Sequence, residues 1–147
     1  MKLEPKAIRY YADHPVEFVQ DIIRVSPDPV QKKILQSVVD HKMTSVRSGH
    51  GIGKSAVEAW TVIWFITTRS HPKIPCTAPT QHQLYDILWA EIAKWLRNNP
   101  VLEKELIWTK ERLYMSIKLS FLYGLSENDK NVRKFIYAII SLYLLYP

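Results

Sequence analysis

Arg47-Ser48-Gly49-His50-Gly51-Ile52-Gly53-Lys54-Ser55 is the stretch on which the reading of this chain turns. The sequence holds only four glycines, and three of them fall here at alternating positions. Such spacing lets successive main-chain N–H groups point to one side, through dihedrals that side chains resist and glycine accepts. Gly-Lys followed by Ser or Thr arises by chance in roughly 5–10% of chains this long, and requiring glycines two and four residues earlier takes that below ~0.1%. A phosphate-binding loop therefore outranks a bare glycine turn. The usual pattern opens on a glycine where this chain has Ser48, and Gly49 and Gly51 supply freedom beside it.

In that reading the main chain of Ser48, Gly49, His50, Gly51, Ile52 and Gly53 cradles the phosphates of ATP. Lys54 reaches the β- and γ-phosphates, and the Ser55 hydroxyl completes the coordination of Mg²⁺. A helix starting at the loop adds its free N–H groups and the positive end of its dipole. Arg47 stands just ahead and has two readings: a hold on a phosphate oxygen, or a cis arginine finger, against a plain exposed arginine at a strand end. Lys54 and Arg47 are the candidate catalytic residues.

Outward from the loop, Met43 to Arg47 reads as a short strand and Lys54 to Thr68 as a mostly buried apolar helix. Lys73 to Ala78 reads as a second strand. Pro79-Thr80 then opens a third long helix, in which Leu84, Ile87, Leu88, Ile92, Trp95 and Leu96 follow a 3.6-residue period until Asn98-Asn99-Pro100. Upstream, Pro15 to Val25 places Val16, Val19, Ile22 and Ile23 on one helical face. Ser26-Pro27-Asp28-Pro29 breaks the chain, and Val30 to His41 restarts as a helix. Strand, loop, helix, strand, helix is the grammar of an α/β fold, so the expectation is an incomplete helicase-like P-loop domain with a parallel sheet flanked by helices.

The totals set bounds on this reading. The 147 residues allow one domain of ordinary size, and 47% hydrophobic with 23% charged residues is a globular composition. A formal charge of +6 favours anionic partners such as nucleic acid or nucleotide. The single cysteine, Cys76, excludes an intramolecular disulfide and fits a reducing cytoplasm. Met1 to Tyr10 is charged and lacks the apolar run of a secretory signal, and no run approaches the ~18 apolar residues of a transmembrane helix. Histidines at 14, 41, 50, 71 and 82 show no metal-ligand spacing. Four of the tryptophans at 60, 64, 89, 95 and 108 lie on apolar helix faces and read as core. Lys32-Lys33 reads as a solvated helix face.

Residues 29–96 resemble the N-terminal ATPase segment of phage terminase large subunits. The resemblance is carried by PDPVQKKIL, SVRSGHGIGKS, AWTVIWFITTR, CTAPTQHQL and LWAEIAKWL. It implies a motor that packages DNA into a procapsid by hydrolysing ATP, with double-stranded DNA, a portal protein and a small terminase subunit as partners, in the cytoplasm of a bacterial host. It makes Gln31 similar to the glutamine such ATPases set against the adenine edge, where an amide offers both donor and acceptor. From the residues alone Gln31 is an exposed helix residue. Thr77-Ala78-Pro79-Thr80 looks like the segment that couples nucleotide state to DNA, against a plain turn with Thr80 as N-cap.

A full motor of this class also needs an apolar strand ending in Asp-Glu, and that pair occurs nowhere in the sequence. The expected organisation is a helical lead-in over 1–28, the ATPase segment over 29–115, and a divergent tail over 116–147. We read the tail as out-of-frame or remnant coding sequence. Its rival is a packed C-terminal helix with Phe135, Ile139, Ile140 and Leu144 facing the core. Two other readings stay open: another helicase-like DNA-dependent ATPase, and a module that binds nucleotide without turnover.

Overall fold

In the computed structural model of the chain, the described residues are 5–47, 51–69, 72, 74–78, 80–109, 113–115 and 140–141. The order begins with helices α1 (Pro5–Tyr11), α2 (Pro15–Phe18), α3 (Pro29–Asp40) and α4 (Lys54–Thr68). It continues with β1 (Cys76–Thr77), α5 (Ala90–Arg97), α6 (Pro100–Glu105), β2 (Leu106–Trp108), β3 (Leu113–Met115) and β4 (Ile140–Ser141). Two π-helical segments extend this set: Val19–Ile23 prolongs α2, and Gln83–Trp89 leads into α5.

The core is built around α4. Beyond its first turns this helix is apolar nearly all round, as a helix without a solvent face is, and Val57 and every residue of 59–68 are buried along it. Its three buried threonines answer for their hydroxyls locally: Thr61, Thr67 and Thr68 donate to the carbonyls of Val57, Ile63 and Trp64 at 2.8, 2.7 and 2.7 Å. Around it pack Ile8 of α1, Phe18 of α2, Val19 and Ile22 of the first π-helical segment, Leu35 of α3, Leu88 of the second, and Ile92 and Leu96 of α5. Each such side chain contributes about 1.5–3 kcal/mol through burial.

The starts and stops follow the sequence closely. Asp28 caps α3 reciprocally: its carboxylate accepts from Gln31 N at 2.8 Å, and the Gln31 side-chain oxygen accepts from Asp28 N at 3.0 Å. Pro29 occupies the first helical turn, where no N–H is needed. Asp28→Ala should cost about 0.5–2 kcal/mol of unfolding free energy, the usual worth of an N-cap, read as a shift in the denaturant midpoint. Asn98 closes α5, and Asn99 caps the start of α6, accepting from Val101 N and Leu102 N while donating to the carbonyl of Ile22. Arg24 closes the first π-helical segment in the left-handed region, at φ 65.

The expected parallel-sheet P-loop domain is not what the chain forms. The described residues are mostly helical, and neither pairing of strands exceeds two strands. β1 pairs in parallel with β4 over Cys76↔Ile140 and Thr77↔Ser141, and β2 pairs antiparallel with β3 from Leu106↔Met115 to Trp108↔Leu113. The strand expected over Met43 to Arg47 is irregular chain. Thr44 ties it back to α3, its hydroxyl donating to Ser37 O at 2.9 Å, while Met43 is 89% exposed and Ser45, Val46 and Arg47 lie at the surface. A strand needs a ladder partner and a face to bury. Among the described residues, most of the apolar surface of α4 packs against helices, with β3 touching it beside them. The second expected strand shrinks to the two residues of β1.

Most of 116–147 lies outside the described residues, including Phe135, Ile139 and Leu144 of the expected C-terminal helix. Ile140 and Ser141 form β4, so at those two positions the chain is extended and not helical. Val30, where the sequence restarts as a helix, is 52% exposed at the start of α3.

Candidate functional site

The glycine-rich turn enters α4 from Arg47, which is exposed. Ser48, Gly49 and His50 lie outside the described residues, so the turn is described from Gly51 onward. Gly51 and Gly53 both have positive φ, 91° and 70°, which is the conformation the alternating glycines predict. An added Cβ on Gly51 would meet none of the described residues within 4 Å, so among them open space lies beside it.

Gly53 is the N-cap of α4 and sits in the left-handed region with no side-chain cap. The first bond of the helix runs from Val57 N to Gly53 O at 3.1 Å, so the N–H groups of Ser55 and Ala56 have no acceptor within the helix. Lys54 and Ser55 occupy its first turn and are half-buried. Left-handed glycines, open space and a helix N-terminus bearing Lys and Ser are a donor set suited to a polyphosphate. For Mg²⁺ the fitting group is the Ser55 hydroxyl. Among the described residues no three His, Cys, Asp or Glu stand together as a metal cluster.

The structure brings Gln31 to this turn. Its side-chain nitrogen donates to Ile52 O at 3.2 Å, 21 residues further along the chain. A Cβ on Gly53 would stand 2.7 Å from the same nitrogen. Sequence reading placed Gln31 beside nucleotide only through resemblance; the contact with the turn is a tertiary fact.

Glu58 was missed. It lies one turn beyond Lys54, and its Oε2 is buried without a hydrogen-bond partner among the described residues. Burial pushes its carboxyl from the ordinary 4.5 up to about 7, and the Lys54 ammonium pulls the other way. Burial first, and then the charge of Glu58, raise the Cys76 thiol to about 11, so β1 lies within electrostatic reach of that carboxyl. The available signal was a single carboxylate inside an otherwise apolar helix, four residues after the lysine.

The consequence for stability has a definite sign. The unfolded chain releases the Glu58 proton near 4.5 and the folded chain near 7, so between those values the folded state holds more protons. Stability from this group is complete below about 4.5, declines as pH rises toward 7, and is flat above. Glu58→Gln should therefore be more stable than wild type at pH 8 and no more stable at pH 4, as measured by urea denaturation at both.

Beyond the turn, the Thr80 hydroxyl accepts from Gln83 N at 3.2 Å, which is the capping role. Trp60 and Trp64 are buried, and Trp89 and Trp95 pack half-buried against the core. Lys32 and Lys33 are exposed on α3. No helix of the described residues is long and apolar enough to cross a membrane. Comparison of the chain with protein-family models, curated proteins and solved structures finds no match.

Proposed function

We propose that this chain holds Mg²⁺-ATP at the turn ahead of α4, as the nucleotide-binding segment of a phage DNA-packaging motor, with little turnover of its own. The observation that carries the binding is the pair of left-handed glycines, Gly51 and Gly53, leading directly into a helix whose first turn bears Lys54 and Ser55. The binding half of the reading rests on the turn and the helix. There Lys54 would hold the β- and γ-phosphates, the Ser55 hydroxyl would hold the metal, and the main-chain N–H groups at the helix start would take up the remaining phosphate oxygens. Mg²⁺, when bound, would supply neutralisation of the phosphate charge.

The motor itself, with its DNA, portal and small-subunit partners in a bacterial host, comes from the terminase-like residues of 29–96. Low turnover follows from composition: with no Asp-Glu pair in the sequence, the carboxylates that support the metal and align the attacking water are missing. The test is an equilibrium titration with fluorescent ATP and Mg²⁺, paired with a phosphate-release assay. Binding without appreciable release is expected. Robust hydrolysis would remove the low-turnover part, and absence of binding would remove the whole reading.

A further inference from the structure

We propose that Gln31 is a positioning residue: its side chain holds the glycine turn in the shape in which that turn grips a polyphosphate. The grip rests on the nucleotide reading above; the brace stands on the hydrogen bonds alone.

Gln31 is committed at each end of its amide. The oxygen accepts from Asp28 N at 3.0 Å and the nitrogen donates to Ile52 O at 3.2 Å. Only one orientation of the amide satisfies both, because Asp28 N has a proton to give and Ile52 O has none. The residue's own N–H is held by the Asp28 carboxylate at 2.8 Å, which fixes its place at the third position of α3. The side chain thus spans from the cap of one helix to the residue before the N-cap of the next.

The turn is shaped to receive it. Gly53 lacks the Cβ that would stand 2.7 Å from the amide nitrogen, and its left-handed backbone turns the Ile52 carbonyl into reach. Glycine is required here twice over, by dihedral and by approach.

Wild type, Gln31→Leu and Asp28→Ala are titrated with Mg²⁺-ATP, Mg²⁺-GTP and Mg²⁺-tripolyphosphate, and amide hydrogen exchange is followed over Ile52–Lys54. Loss of the bond to the turn should weaken Gln31→Leu roughly two- to twelve-fold, for the base-free tripolyphosphate as for the nucleotides, with faster exchange in the turn. Asp28→Ala removes a cap but leaves both bonds of the Gln31 side chain, so it should be less stable with turn exchange unchanged.

Weakening of ATP alone, with GTP and tripolyphosphate spared, would make Gln31 a base reader and overturn the proposal. If wild type binds none of the three, the grip falls with the nucleotide reading. Exchange then still decides the brace: faster exchange in Gln31→Leu alone upholds the positioning role, and unchanged exchange refutes it.

Discussion

Lys54→Ala should lose Mg²⁺-ATP affinity by roughly 10- to 150-fold, the worth of one charge-assisted contact to phosphate of about 1.5–3 kcal/mol. From a weak starting affinity, that removes binding from the range of a titration. The side chain stands in the first turn of α4, directly after the left-handed Gly53. No other basic residue lies in that first turn. Alanine is the best helix former, so the helix itself should persist, and an unchanged far-UV spectrum would separate lost binding from lost fold. A second effect runs through Glu58. With the ammonium gone, nothing opposes burial, and its carboxyl moves further up from about 7. The variant should accordingly hold that proton through neutral pH. Undiminished ATP binding in Lys54→Ala would mean that the turn does not grip phosphate.

Trp64→Ala should destabilise the chain by about 3–5 kcal/mol, the cost of deleting a fully buried aromatic. Three kinds of contact disappear together. The indole is 0% exposed within the core. Its Nε1 donates to the Tyr11 carbonyl at 2.6 Å, which fastens α1 to α4 across 53 residues of sequence. The Arg69 guanidinium stands over the ring, 5.2 Å from its centroid, while itself donating to Ala12 O at 2.8 Å. Against a typical total of about 5–15 kcal/mol, that loss is a large share of the whole. In urea it should move the midpoint down by more than about 1 M at the usual slope. Trp64→Phe would keep most of the packing and strand the Tyr11 carbonyl, so a smaller cost of about 1–3 kcal/mol is expected. A loss below about 1 kcal/mol in Trp64→Ala would mean that α4 is not the centre of the core.

Local signals in the chain were informative where the governing physics is local. Lys54 to Thr68 is a helix over the span its apolar run implies. The break at Ser26-Pro27-Asp28-Pro29 became an N-cap with proline in the first turn, and the glycine alternation became two positive φ values. Each of these is set by dihedral preference or by one hydrogen bond within a few residues. The strand assignments failed for the complementary reason. Val46 and its neighbours have acceptable strand propensity, but a strand exists only if another strand pairs with it. Cys76–Thr77 found such a partner far along the chain at Ile140–Ser141, whereas Met43 to Arg47 is tied to α3 through Thr44.

The candidate site divides along the same line. That a glycine turn would open a helix at Lys54 was legible from glycine spacing, because main-chain freedom is a property of the residues themselves. That the Gln31 amide would bond to the turn, and that the Glu58 carboxyl would be desolvated within electrostatic reach of Cys76, was not legible. Those relations join positions 21 and 18 residues apart, and only the packing of α3, β1 and the turn against α4 brings them together. Sequence alone settled where the backbone must bend and which helix must be buried. Tertiary structure decided what covers that helix, since burial rewards any apolar face that fits, and here helices fitted where a sheet was expected.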